Sequence, residues 1–146
     1  MPRQYYAYSI KTIRVREPDF PYTGRQLTCT SELIDFARIL RDADNENFLV
    51  IYLDAQNKVL GIFHDEGIAN QNVVYPSKIL RHALIFNACA MILIHNHPSD
   101  HVRPSDADIR LTNKIKETAN ALDMLVHDHI IVGPERFLSF REEGLM

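Results

Sequence analysis

"AMILIHNHPSDHVRPSDAD", residues 90–108, decides how this chain folds. Its first five residues are a continuous apolar run, the pattern of a central strand buried on both faces. Pro98 cannot donate to a ladder, so the strand stops at His97. After the seven residues 98–104, Ser105-Asp106-Ala107-Asp108 opens a helix. S-x-x-D is a capping box: the serine caps the helix, and an acid three residues on suits its positive end. A loop returning from the strand end to the helix start can bring Asp108 beside His95 and His97.

The flanking sequence supplies the other elements. Residues 6–15, "YAYSIKTIRV", have strand composition, and 17–26 form a loop broken by Pro18, Pro21 and Gly24. "SELIDFARILRDA" sets Leu33, Ile34, Ala37 and Leu40 on one helical face, with Thr30 or Ser31 as the cap. Residues 47–64 read as two strands around a turn at Asp54–Asn57. A helix begins at Pro76, with Ile79, Leu80, Ala83, Leu84 and Asn87–Ala88 on its apolar side. The helix from Ser105 places Ile109, Leu111, Ile115 and Ala119 inward. "LVHDHIIV" and "RFLSF" close the chain as strands split at Gly133–Pro134. This mixture gives an α/β (α+β) protein with a mixed, mainly antiparallel sheet flanked by helices.

Composition narrows the function classes. With 146 residues, 46% of them apolar, the chain can build a core without staples. A net charge of −3 gives no global attraction to nucleic acid or anionic membrane. Arg3, Lys11, Arg14 and Arg16 precede any acid and read as guards of an edge strand or as a phosphate-contacting arm. No apolar leader region is visible, and "LIFNACAMILI" at 84–94 is too short to span a bilayer. Cys29 and Cys89 form no CxxC pattern and read as reduced thiols of a cytoplasmic protein, Cys89 as a small core residue.

The chemistry gathers in the opening segment. His95 and His97, at i and i+2, point to one face of a strand and can reach one cation. Two neutral imidazoles and the Asp108 carboxylate leave a fourth position open, as catalytic zinc requires. Capping and ligation are compatible for Asp108, because a helix start holds the carboxylate in place. His64 and His82 read as surface or packing residues, and His101 is the alternative ligand in the same loop. There is no HExxH helix, and the adjacent letters HNH do not make the nuclease motif of that name.

H-x-H-P, then S-x-x-D with seven residues between the second histidine and the serine, resembles the JAMM signature of the JAB/MPN metalloprotease-like fold. "HNHPS", "PSDADIRLT", "DHIIVG" and "SFREEG" are similar to its bacterial RadC branch. The resemblance implies a cytidine-deaminase-like JAB/MPN domain at 28–146, with 1–27 as a strand and loop extension. It implies Zn2+ on His95, His97 and Asp108, and Ser105 as donor to the oxyanion. It also implies a glutamate at the start of the strand after the first helix, where Glu46 stands, with Glu32 and Glu66 as rivals. By itself Glu46 is an ordinary polar residue at a strand start. RadC members usually carry glycine where Asp100 stands. An aspartate tolerates the left-handed conformation, and its charge would raise cation affinity or occupy the substrate path.

The activity so implied is a zinc-dependent metallopeptidase or isopeptidase acting on a peptide or protein. Glu46 serves as base, and Asp128 or another acceptor orients a ligand imidazole. Asp128 and His129 read equally well as core-strand residues. Two alternatives stay open: a non-proteolytic accessory protein in a DNA-repair or mobile-element context, and a metal-dependent nuclease. No membrane partner is expected, and exposed strand edges suit a homodimer.

Overall fold

The computed structural model of the chain describes residues 25–41, 43–66 and 74–146. The expected strand at 6–15 and its basic side chains lie outside the described residues. The described residues form eight elements in order: α1 (Thr30–Arg41), β1 (Asn47–Leu53), β2 (Val59–Glu66), α2 (Pro76–Phe86), β3 (Ala90–Asn96), α3 (Asp106–Ala121), β4 (Leu125–Val132) and β5 (Phe137–Ser139). The strands form one sheet in the order β2-β1-β3-β4-β5. All neighbours are antiparallel except β3 and β4. A parallel pair cannot be joined by a tight hairpin, and α3 is the crossover. The loop after β3 and the start of α3 therefore lie together at the carboxyl end of the central strand, where open sheets bind ligands.

The apolar run at 90–94 is buried throughout, as its lack of alternation requires. Period-two geometry sorts the side chains onto two faces. Leu49, Ile51, Leu53, Ile92 and Ile94 pack with Leu33, Ala37 and Leu40 of α1. Phe48, Val50, Tyr52, Met91 and Leu93 pack on the other face with Ile79, Leu80 and Ala83 of α2 and Ile115 and Ala119 of α3. Each fully buried Leu, Ile or Val contributes about 1.5–3 kcal/mol from water exclusion alone. Tyr52 is fully buried, and its hydroxyl donates to the Ile79 carbonyl at 2.8 Å, tying β1 to α2. Burial alone pushes that phenol well above the usual tyrosine range.

The structure departs from the sequence expectations at several positions. Thr30 is already helical, and the start of α1 is closed by Glu32, whose carboxylate accepts from the Thr28 amide at 2.7 Å. Leu84 is 59% exposed, and Asn87 leaves α2 through the left-handed region at φ 54°. Neither belongs to the inner face, which is Ile79, Leu80 and Ala83. Cys89 is exposed rather than a core residue. On α3, Ile115 and Ala119 are buried as expected, but Ile109 and Leu111 are only half-buried and Thr112 is the third buried position.

One irregularity positions the site. Met91 pairs with Val126 while Ile92 pairs with Asp128, so β4 carries an extra residue at His127. This bulge changes the phase of β4. Val126 faces the α2/α3 core, yet three residues later His129 lies against Phe48 of that same core. Ile130 and Val132 face α1.

Candidate metal centre

His95 is the sixth residue of β3 and continues the Met91–Leu93 face toward α3. It lies in register with Phe48 of β1, and the two rings stack at 5.9 Å and 12°. His97 follows the strand, its amide still donating to the Val132 carbonyl at 2.8 Å. Its Nδ1 lies 2.6 Å from the backbone carbonyl of His101. A carbonyl only accepts, so His97 Nδ1 holds the proton and its Nε2 lone pair faces the site. The 98–104 loop thus orients His97 through a backbone oxygen. The His101 ring turns back on its own loop, with Nδ1 3.1 Å from the Ser99 carbonyl, and is no ligand here.

Asp108 arrives from the first turn of α3. Ser105 Oγ accepts from the Asp108 amide at 3.1 Å, and Asp108 Oδ2 accepts from the Ser105 amide at 2.8 Å, completing the capping box. The other oxygen, Oδ1, is 3.4 Å from His95 Nε2. The two Nε2 atoms are 3.0 Å apart, and His97 Nε2 is 3.6 Å from Asp108 Oδ2. Tetrahedral zinc with bonds of about 2.0–2.1 Å holds its ligand atoms about 3.3 Å apart. The separations here bracket that value. Among the described residues this trio is the one His/Cys/Asp/Glu group gathered closely enough to hold a metal. The donor set of two imidazoles and a carboxylate fits a metal such as zinc.

The groups of the cluster shift one another's protonation. The hydrogen bond to Asp108 raises the His97 pKa, opposed by burial and assisted by the His101 carbonyl and the charges of Asp108 and Glu46. Burial acts to raise the Asp108 carboxyl, but the two imidazoles of His95 and His97 beside its oxygens outweigh it and hold it far below the usual carboxylate range. Beyond them lies His129, fully buried, with Nε2 2.7 Å from His95 Nδ1. Burial holds the His129 pKa well below the ordinary histidine value. The imidazole partner is therefore His129 and not Asp128. Asp128 faces the other side of the sheet, where it accepts from Ser139 Oγ at 2.6 Å and the Arg141 amide at 3.0 Å.

Asp100 also differs from its expected roles. It adopts φ 61°, the left-handed conformation, but its carboxylate turns away to the β4–β5 turn. There it accepts from the amides of Glu135 at 3.0 Å and Arg136 at 3.1 Å. The Glu135 amide bond acts first to hold its pKa low, so the carboxyl is a stable anion spent on the turn. Gly133 beneath it has no room for a side chain, since a Cβ would lie 2.8 Å from Asp100 Cα.

Glu46 stands exposed immediately before β1. Its charge is among those raising the His97 pKa. Of its rivals, Glu32 is engaged at the start of α1 and Glu66 ends β2 opposite Asn47. The middle residue of His-Asn-His holds the segment around Glu46. Asn96 is 1% exposed, accepts from the Asn47 amide at 2.6 Å, and donates to the Asn45 carbonyl at 3.0 Å. Asn96→Ala should leave metal stoichiometry unchanged while the Asn47 amide exchanges hydrogen about tenfold faster, the worth of one lost bond of about 1–1.5 kcal/mol. Amide exchange read by mass spectrometry checks this. Unchanged protection at 45–47 would show that the clamp is dispensable.

The family described as RadC-like JAB domain matches residues 27–145. A UPF0758 protein of Photobacterium profundum is 43% identical over 109 residues, covering 74% of this chain and 49% of the relative. One from Pelobacter propionicus is 40% identical over 133 residues, 86% of this chain and 58% of its own length. The UPF0758 protein YkfG of Escherichia coli is 36% identical over 140 residues, 93% of this chain and 87% of the relative. The chain spans about half the length of the first curated relatives it matches. With a family match over nearly the whole described region and the His-His-Asp cluster at its centre, this chain belongs to the RadC-like JAB domain family.

Proposed function

We propose that the protein is a zinc-dependent hydrolase of the JAMM type that cleaves an amide or isopeptide bond in a peptide or protein substrate. The observation that carries this reading is the convergence of His95 Nε2, His97 Nε2 and the Asp108 carboxylate, with separations of 3.0 to 3.6 Å, at the carboxyl end of the central strand. Bound there, zinc supplies Lewis acidity and lowers the pKa of water to about 7. Glu46 takes the proton of the attacking water and passes it to the departing amine. The Ser105 oxygen accepts from the Asp108 amide, which leaves its own O–H free to donate to the carbonyl oxygen as charge develops. Loss of one such donor costs about 10²–10³ in rate. A nuclease reading would draw on more carboxylates or a second metal position. Among the described residues the cluster offers a single carboxylate.

The test compares zinc-loaded protein with chelated protein on quenched fluorescent peptides and isopeptide-linked peptides. Cleavage that needs zinc and returns on its re-addition is the expected result. Cleavage that survives chelation would assign the activity elsewhere.

A further inference from the structure

We infer that Thr112 and His129 are positioning residues that set the tautomer of His95 and so aim its Nε2 lone pair at the metal position. The inference rests on the zinc reading above and extends it to residues outside the ligand set. Four groups form a continuous chain. Thr112 Oγ1 lies 2.7 Å from the Asp108 backbone carbonyl and 2.6 Å from His129 Nδ1. His129 Nε2 lies 2.7 Å from His95 Nδ1.

The proton positions follow from what each group can do. A carbonyl oxygen only accepts, so the single threonine proton goes to Asp108. The Thr112 oxygen then has only an acceptor role left, and His129 Nδ1 must donate to it. His129 is fully buried, stacked on Phe140 at 4.6 Å and edge-on to Phe48 at 5.7 Å. An uncompensated charge there would be costly, so the ring is neutral and its one proton is already placed on Nδ1. Its Nε2 is bare and accepts from His95 Nδ1. Neutral His95 has then spent its proton, and Nε2 turns a lone pair toward His97 Nε2 at 3.0 Å and Asp108 Oδ1 at 3.4 Å.

A threonine that bonds back to the carbonyl four residues earlier is common in helices and needs no functional reason. The second contact, to a buried imidazole that itself holds a ligand, is what the habit does not explain. The chain also closes on itself. Asp108 supplies both the acceptor that starts the proton order and a carboxylate at the site. Thr112 thereby locks the first turn of α3 to β4, and His129 locks β4 to β3. Outer partners of this kind fix ring orientation and ligand basicity.

Thr112→Val and Thr112→Ser separate hydroxyl chemistry from packing. Valine keeps the shape but leaves His129 Nδ1–H without an acceptor. The imidazole then gains by moving its proton to Nε2, which makes His95 Nδ1 the acceptor and puts a proton on His95 Nε2, in the metal position. Zinc affinity, measured by competition with a chromophoric chelator, should fall by about 10–100-fold in Thr112→Val and stay near the parent's in Thr112→Ser. In the metal-free protein at mildly alkaline pH, ¹⁵N NMR should show His95 protonated at Nδ1 in the parent and the serine variant, and at Nε2 in the valine variant. Parent-like zinc affinity in folded Thr112→Val overturns the proposal. So does a parent His95 protonated at Nε2, a measurement that needs no variant to fold. If the parent binds no zinc, the zinc reading fails, and the tautomers alone decide the positioning roles.

Discussion

Purified His97→Ala should contain no zinc, while the parent carries about one per chain by elemental analysis. The reason lies in the hydrogen bonds around the ring. With the His97 Nδ1 proton held by the His101 carbonyl at 2.6 Å, only Nε2 is available to the site. Removing it leaves one imidazole and one carboxylate, two donors where stable zinc sites keep three or more. His97 is only partly buried, its side chain 14% exposed, so the fold should tolerate the truncation. Zinc in His97→Ala at the parent level would show that the metal is held elsewhere.

The same residue sets opposite pH trends for folding and for metal binding. In the metal-free protein the His97 pKa is raised, first by its hydrogen bond to Asp108. Its contribution to stability is whole below an unfolded-state pKa of about 6.5 and is lost as pH rises through the higher folded value. The depressed Asp108 behaves inversely, adding stability above about 3.9 that is lost as pH falls through its folded value. Zinc must displace the His97 proton, so zinc affinity should rise over the range in which the metal-free protein loses stability. Chelator competition and urea unfolding across pH 6 to 8.5, a range of about two and a half units around the histidine value, would show the crossing trends. Parallel trends would mean that His97 does not meet the metal.

Glu46→Gln should keep the full zinc content and lose the hydrolytic activity proposed above, by about 10²–10⁴-fold or more. Glutamine has the shape and hydrogen-bonding reach of glutamate but cannot take a proton at neutral pH. The substitution removes none of the metal-cluster side chains, because Glu46 lies on the segment before β1 and the cluster comes from β3, the residue after it and the first turn of α3. The neighbouring residues Asn45 and Asn47 are bonded to buried Asn96, so the backbone should not shift. Steady-state rates on the zinc-loaded proteins, beside equal zinc content, make the check. A variant as active as the parent would remove Glu46 from the mechanism.

Much of this molecule is legible in its sequence. The apolar run at 90–94 and the proline at 98 marked a buried central strand and its end, because each carries a local physical constraint. The cluster of His95, His97 and Asp108 was legible for the same reason. Strand alternation puts the two histidines on one face, and the Ser105 cap holds the acid at a helix start. The mixed sheet and its flanking helices followed from patterns of period two and 3.6. Only the tertiary structure decided what meets across elements. The bulge at His127 reverses the phase of β4, and no count along "LVHDHIIV" can show that the site partner is His129 and Asp128 faces away. Thr112 looks like a polar break in an apolar helical stripe until β4 packs against it. Asp100 reads as a charge near the site until the β4–β5 turn comes back to donate two amides to it. Alternation and capping are set by neighbours along the chain, so the sequence carries them. Phase across a bulge and pairing between distant strands arise only when the sheet closes, and there the second layer of the site is made.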